Sequence, residues 1–214
     1  MRLSNAAHES RPWRVRDITS DFTLEDVWAL PVHGAADDFR RLLEVMMSID
    51  PANSGSPLSR VLWCVRDRLG KWFDLGGISG EPGSDGAAGE VPIPDTNEAS
   101  LTERLPADLA NTATDVDFAS TPFIPLYRTN VEFAAELSNR TVHAVMHLAW
   151  VEEQGGRYSG QMAVYVKPRG RFGRAYMALI KPFRHWVVYP ALMRQIERAW
   201  NTRDARVPAS RSPS

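Results

Sequence analysis

Residues 175–193 read AYMALIKPFRHWVVYPALM. The segment is long, apolar and rich in aromatic side chains, and the pair Arg184-His185 lies at its centre. Apolar residues then recur at every fourth position, at Val188, Leu192, Ile196 and Trp200. This spacing predicts one face of a C-terminal helix. A proline inside a helix costs about 3 kcal/mol. We therefore expect a break at Pro182, which begins a new helix, and a kink or second break at Pro190.

The residues before this segment alternate with period two. Apolar side chains occupy every second position in three runs, at 131–137, 142–150 and 162–166, and turn residues such as Gln154-Gly155-Gly156 separate the last two. This pattern predicts consecutive antiparallel strands joined by short connections. The face from Val142 to Trp150 is wholly apolar, so we expect it to pack against the C-terminal helix.

The first half of the chain supplies a strand and two helices. Residues 24–32 predict a first strand, and the apolar spacing in 35–48 and 58–73 predicts two amphipathic helices. The predicted fold class is α+β, in which a curved antiparallel β-sheet grips a long, proline-kinked C-terminal helix, with two short helices after the first strand. Such a helix-grip arrangement has a concave interior that suits a ligand.

One domain is predicted over residues 15–202, because no shift in composition divides the chain into two apolar halves. Residues 1–14 are polar and are expected to form a flexible N-terminus. The stretch 76–99, dense in Gly, Pro, Ser, Asp and Glu, is expected to be a flexible loop, either disordered or a lid. Residues 203–214 are expected to form a disordered tail.

The composition excludes several classes of protein. The chain has 214 residues, 43% of them hydrophobic, and a formal net charge of -1, which disfavours a nucleic-acid partner. Cys64 is the single cysteine, so an intrachain disulfide and a cysteine-rich zinc site are excluded. No stretch approaches the roughly 18 apolar residues of a membrane span. We expect a cytoplasmic protein with no integral membrane association, no metal and no cofactor.

Three segments resemble a bacterial family of uncharacterised domains: ELSNRTVH at 136–143, GQMAVYVKP at 160–168, and the stretch from Tyr176 to Pro190. Members of that family occur alone and fused behind short-chain-dehydrogenase-like domains. The core IKPFRH at 180–185 is similar to the family's Pro-Phe-His-Arg signature, with the order of the last two residues reversed here.

That family is in turn similar to the helix-grip superfamily of START domains, Bet v 1-like allergens and polyketide cyclases (SRPBCC). This resemblance implies an apolar cavity between the sheet and the C-terminal helix. It implies no particular catalytic residues.

Two histidines lie on one face of a predicted strand. His143 and His147 are four residues apart, about 13 Å along a strand, which is too far for both to hold one metal ion. They either line the concave face and hydrogen-bond a ligand, or lie on the convex face and meet solvent. Glu132 and Glu136 also share a strand face, and a solvated face is the favoured interpretation.

Further candidates for ligand binding lie near the closing helix. Arg184 either holds a carboxylate or phosphate of a ligand, or satisfies carbonyls freed by the proline break, or pairs with an acidic residue. The remaining candidates are His185, Trp150, Tyr165 and Tyr176. A basic run from Lys167 to Lys181 is interpreted as a solvated hairpin, with an anionic membrane surface, a nucleotide or a nucleic acid as alternatives.

The function predicted is the binding of an apolar or aromatic small molecule between the sheet and the C-terminal helix. One alternative is a cofactor-free cyclase or dehydratase acting on a polyketide-like substrate, with His143, His147, Tyr165 or Arg184 in acid–base or oxyanion roles. A second alternative is a non-catalytic partner of an oxidoreductase. Whether the chain forms a homodimer is left open.

Overall fold

The computed structural model describes residues 1–49, 100–113, 115–116, 123–138 and 142–204. The predicted helix at 58–73, the loop at 76–99 and the tail from residue 205 lie outside the described residues. In chain order the elements are α1 (Asn5–Glu9), α2 (Val15–Ile18), β1 (Thr23–Gly34), α3 (Phe39–Ser48), a 3₁₀ turn (Leu101–Arg104), β2 (Ile124–Arg128), β3 (Glu132–Ser138), β4 (Val142–Glu152), β5 (Tyr158–Pro168), α4 (Gly170–Phe183), a π turn (Arg184–Val188) and α5 (Tyr189–Asp204).

The strands form one five-stranded antiparallel sheet in the order β1-β5-β4-β3-β2. The central strands β4 and β5 pair along their whole length, from Val142 opposite Pro168 to Glu152 opposite Tyr158. The prediction of an α+β fold with consecutive antiparallel strands and a long C-terminal helix is therefore confirmed. β1 lies at the edge of the sheet beside β5. It is therefore next to the helices that follow β5.

The apolar face of the sheet packs against α3 and α5. Side chains from β1, β3 and β4, among them Leu30, Phe133 and Leu148, form one buried cluster with Leu42 of α3 and Ile196 of α5. The prediction that the Val142–Trp150 face packs against the C-terminal helix is confirmed. Each of these side chains stabilises the fold by roughly 1.5–3 kcal/mol through the apolar surface that it removes from water.

The opposite face of the sheet is also buried. The N-terminal segment and the 3₁₀ turn cover it with Trp13, Val15, Ile18 and Leu101. Residues 1–14, for which we expected flexibility, pair with β1 through backbone hydrogen bonds such as Leu3 N–H to the carbonyl of Val27. The sheet is therefore enclosed between two layers, and polar side chains on either face are shielded from water.

The C-terminal helices follow one another without the predicted break at Pro182. Pro182 lies inside α4, and Pro190 is the second residue of α5. The prediction that Pro182 begins a new helix is therefore wrong. The chain instead passes through a π turn, in which Tyr189 N–H donates to the carbonyl of Arg184, five residues earlier. The extra residue in this turn allows the helical path to continue past positions where proline cannot donate a hydrogen bond.

Candidate functional site

A buried carboxylate lies between the sheet and the C-terminal helix. Asp26 of β1 is fully buried. Arg184 donates a short hydrogen bond to its Oδ2, and His185 Nε2 lies 2.5 Å from its Oδ1. The hydroxyl of Tyr189 donates to Oδ2 at 3.2 Å, and Arg2 approaches Oδ1 at 3.9 Å. The Asp26 carboxylate of β1 thus contacts side chains from the N-terminal segment, the π turn and the first residue of α5.

A register shift in β1 directs Asp26 to this face. The pairing of β1 with β5 is irregular between Leu24 and Asp26. Leu24 packs with the N-terminal layer, whereas Trp28 and Leu30 pack on the helix side. Residues two apart in a regular strand share a face. The irregularity therefore places Asp26 on the side of the C-terminal helix, opposite Leu24.

The π turn brings its partners together. Residues five apart on an α-helix are separated by about 140° around the axis, since there are 3.6 residues per turn. In the π turn Tyr189 is hydrogen-bonded to the residue five before it, Arg184, and both side chains reach Asp26. Single π turns of this kind are frequent at functional sites.

Charge and burial act in opposite directions on these groups. Burial pulls the pKa of Asp26 upward, but the positive charge of Arg184 and the hydrogen bond from His185 outweigh it, and the pKa lies below its ordinary value. Burial raises the pKa of Tyr189 well above its usual range, and the neighbouring Asp26 charge adds to this shift. Asp26 is therefore an anion at neutral pH, and Tyr189 remains a hydrogen-bond donor.

The cluster also holds donors that have no acceptor among the described residues. The side chains of Arg184 and His185 are 15% and 18% exposed, so solvent reaches them. Trp28 lies beside them, with its ring centroid 4.7 Å from that of Tyr189 and 6.1 Å from that of His185. The buried Nε1 of Trp28 and Nε of Arg184 have no hydrogen-bond acceptor among the described residues. Each of these N–H groups could donate to an acceptor that another molecule supplies.

A second polar cluster lies on the opposite face of the sheet. His147 of β4 is fully buried, and its Nε2 lies 3.1 Å from Glu132 Oε2. The same oxygen accepts from Tyr127 Oη at 3.0 Å and from the backbone N–H of Arg14 at 2.9 Å. The ring of His8 lies 5.2 Å from that of His147.

His8 completes this cluster from the N-terminal segment. Its Nδ1 lies 2.6 Å from Gln161 Oε1, and its Nε2 lies 3.0 Å from Tyr165 Oη. Burial, with the neighbouring His147, lowers the pKa of His8 to about 4. Burial likewise lowers the pKa of His147 and raises that of Tyr165 to about 12. Both imidazoles are therefore neutral near pH 7.

His143 forms a similar pair further along β4. Its Nε2 lies 2.8 Å from Glu136 Oε2, which also accepts from the backbone N–H of Leu101 at 3.1 Å. The hydroxyl of Ser100 donates a short hydrogen bond to the other oxygen of Glu136. The interpretation of Glu132 and Glu136 as a solvated strand face is wrong, because the N-terminal layer and residues 100–101 cover both carboxylates. The alternative that His143 and His147 meet solvent is wrong for the same reason.

An open groove of about 700 Å³ runs along the N-terminal layer. Its aromatic lining includes Trp13, Phe22 and Tyr165, and its polar rim includes Arg16 and Asp17. Tyr165 links the groove to the buried His8. The groove and the Asp26 cluster lie on opposite faces of the sheet.

The sheet separates the sequence-predicted candidates into two groups. His143, His147 and Tyr165 lie beneath the N-terminal layer, whereas Arg184 and His185 lie at Asp26. Trp150 is on the helix face, donates from Nε1 to the carbonyl of Ala35 at 2.8 Å and packs on Trp200. Tyr176 of α4 packs beside a small cluster that contains Val142 and Val166.

Asp26 and Trp28 of this cluster were not predicted from the sequence. Asp26 could have been identified from the sequence, because it is a carboxylate inside a run of residues that otherwise predicts a buried strand. Among the described residues, no three His, Cys, Asp or Glu side chains come close enough to hold a metal ion. Within the same residues, no helix is both long and apolar enough to cross a membrane.

Comparison with known protein families gives a match over most of the chain. A family model described as Protein of unknown function (DUF2867) matches residues 18–191. No curated protein and no solved structure matches the chain. The matched range includes Asp26, Arg184, His185 and Tyr189, and it ends within α5.

Proposed function

The chain belongs to the DUF2867 family, whose function is unknown, and we propose that it binds a small molecule with an apolar or aromatic body between the sheet and the C-terminal helix, beside Asp26. The observation that carries the proposal is the buried Asp26 carboxylate, together with two neighbouring donors that have no acceptor within the described part of the chain. The resemblance of the sequence to helix-grip proteins, which implies a ligand in this place, is consistent with the proposal.

The energetic cost of the Asp26 cluster favours a functional role. Burying an ion costs several kcal/mol, and apolar side chains of similar volume often give a more stable protein. Buried charges with shifted pKa values concentrate at functional sites. Arg184 and His185 are also partly exposed, so a ligand can reach them, whereas His8 and His147 on the other face are fully buried.

The donors Trp28 Nε1 and Arg184 Nε suggest the polar end of the ligand. Each lacks an acceptor among the described residues, so a ligand that carries a carbonyl, carboxylate or phenolate oxygen would suit this end of the site. The rings of Trp28 and Tyr189 offer flat apolar surfaces to the rest of the ligand. An aromatic carboxylate or a polyketide-like phenol has both features.

Native mass spectrometry of freshly purified protein tests the proposal. We expect a retained small molecule that is released on denaturation. Trp28→Phe keeps a ring but removes the N–H, so it should lower occupancy about tenfold, in line with the loss of one hydrogen bond to a ligand oxygen. Trp186→Phe is the matched control, since Trp186 is 82% exposed.

Two results would end the proposal. One is a native mass equal to that of the polypeptide, combined with no thermal shift by a panel of aromatic carboxylates and phenols. The other is a retained ligand whose occupancy is the same in Trp28→Phe and in the wild type.

A second candidate function is a cofactor-free acid–base enzyme of the cyclase or dehydratase type, favoured by the His185–Asp26 pair. A carboxylate on Nε2 orients an imidazole and leaves Nδ1 to accept a proton from a carbon next to a carbonyl. Arg184 would stabilise the enolate oxygen that forms, and the proton would leave with a β-hydroxyl group as water. His143, His147 and Tyr165 take no part in this version, since they lie across the sheet.

This alternative has its own test. His185→Gln should abolish dehydration of a β-hydroxy ketone while ligand retention persists. Equal turnover by the variant and the wild type would exclude the catalytic role of His185. The role of a non-catalytic partner of an oxidoreductase stays a prediction.

A further inference from the structure

The outer face of α4 and the π turn carries exposed apolar side chains. Leu179 is 61% exposed and Trp186 is 82% exposed. Ala175 and Pro182 are exposed as well, and the four positions are separated by four, three and four residues. This spacing places them on one side of the helix. An indole that lies in water with apolar neighbours usually marks a contact surface.

Cations border this apolar stripe. Arg171, Arg174 and Lys181 are exposed on the same helix. Lys181 reaches Glu25 at 3.5 Å, whereas Arg171 and Arg174 form no ion pair with any part of the chain that the structure describes. The sequence contains no acidic residue between Glu153 and Glu197. The surface of α4 is therefore basic and apolar together, although the whole chain is close to neutral.

We propose that this face of α4 and the π turn docks on an anionic membrane surface. Indole side chains favour the boundary between headgroups and acyl chains, and a neighbouring leucine adds apolar contact area. Arginines beside such anchors are attracted to lipid phosphates and to the negative surface potential of anionic lipids. In this arrangement Trp186 and Leu179 enter the interface, and Arg171 and Arg174 contact the headgroups.

A second copy of the chain is a poorer occupant of this face. A symmetric contact through the stripe would place Arg171 and Arg174 of both copies in one interface to which this segment contributes no acidic residue, and uncompensated like charges oppose association. An anionic bilayer complements both the cations and the apolar stripe.

Vesicle sedimentation with the full chain tests the proposal. The probes are vesicles of phosphatidylglycerol mixed with phosphatidylcholine, and vesicles of phosphatidylcholine alone. We expect binding to the anionic vesicles that weakens in about 0.5 M salt, where screening acts over a few ångströms. Replacing Arg171 and Arg174 by alanine should reduce partitioning about fivefold for each arginine. Trp186→Ala should reduce it about tenfold.

Arg157→Ala is the matched control, because Arg157 is exposed in the turn at the other end of β5 from α4. It should bind vesicles like the wild type. The substituted side chains are exposed, and circular dichroism verifies that each variant is folded. Equal binding to both kinds of vesicle, no binding to either, or equal losses in R157A and R171A would overturn the proposal. A dimer that Trp186→Ala converts to a monomer, without vesicle binding, would assign the face to self-association instead and overturn it as well.

Discussion

His185 Nε2 lies 2.5 Å from Asp26 Oδ1, across the boundary between the π turn and the first strand of the sheet. The two residues are 159 positions apart in the sequence. Their contact joins the beginning of the fold to its end, and Arg184 and Tyr189 share the same carboxylate. The stability of the C-terminal helix and the chemistry of the candidate site therefore depend on one buried anion.

Removing the charge of Asp26 should destabilise the protein strongly. Asp26→Asn keeps the shape of the side chain but leaves the Arg184 guanidinium without a counter-ion in a largely buried place. Breaking a buried ion pair in this way costs about 3 kcal/mol or more, which urea denaturation would measure. Asp108→Asn is the control, since Asp108 pairs with Arg14 on the surface, and it should unfold like the wild type. Equal unfolding midpoints for the two variants would contradict this account of Asp26.

The hydroxyl of Tyr189 should contribute a smaller amount. Tyr189→Phe removes one hydrogen bond to a charged acceptor, which is worth about 1.5 kcal/mol, and keeps the ring packed on Trp28. Tyr158→Phe is a matched control, because the Tyr158 ring stacks on Trp150 and its hydroxyl has no bond to any described residue. Urea denaturation of both variants would give the two values. A loss in Tyr158→Phe as large as that in Tyr189→Phe would show that the Asp26 contact is not its source.

Stability should fall in mild acid because of His8. An unfolded histidine titrates near 6.5, whereas burial beside His147 lowers the pKa of His8 to about 4 in the folded protein. Between these two values the unfolded chain binds a proton that the folded chain does not. Stability is therefore highest above pH 6.5 and falls by up to about 3 kcal/mol as the pH drops toward 4.

Denaturation by urea at several pH values from 7 to about 4 would measure this slope. His8→Gln should make it shallower, and the neutral but buried His147 should account for what remains. His33→Gln is the control, since His33 is exposed on β1, and its slope should match that of the wild type. An unchanged slope in His8→Gln would exclude His8 as the source.

Glu132 should be essential for the attachment of the N-terminal layer. Its Oε2 accepts from Tyr127, His147 and the backbone N–H of Arg14. Glu132→Gln replaces the carboxylate oxygen that these three donors share by a neutral amide oxygen, which weakens each hydrogen bond by about 1 kcal/mol. We therefore expect a loss of about 3 kcal/mol and faster proteolysis within residues 1–20. Glu153→Gln, in the exposed turn after β4, should behave like the wild type in both measurements. Normal protease resistance in Glu132→Gln would mean that the layer is held by apolar packing alone.

The sequence by itself determined the antiparallel strands and the apolar seam between sheet and helix. Period-two alternation in 131–137, 142–150 and 162–166 predicts strands whose apolar faces are buried together. Apolar residues at every fourth position from Val188 to Trp200 predict a helix that covers this face. The basic and apolar character of the segment after β5 is also local, since it needs only the order of the residues.

Only the tertiary structure decided which polar groups are buried and with what partners. The alternation of β3 and β4 places Glu132, Glu136, His143 and His147 on one face, but periodicity does not reveal that the N-terminal segment covers that face. The Asp26 cluster likewise depends on a register shift in β1 and on a π turn at residues 184–188. Both features depend on contacts between residues that are far apart in the sequence. The sequence therefore did not reveal that Arg184 and His185 bind the carboxylate of Asp26.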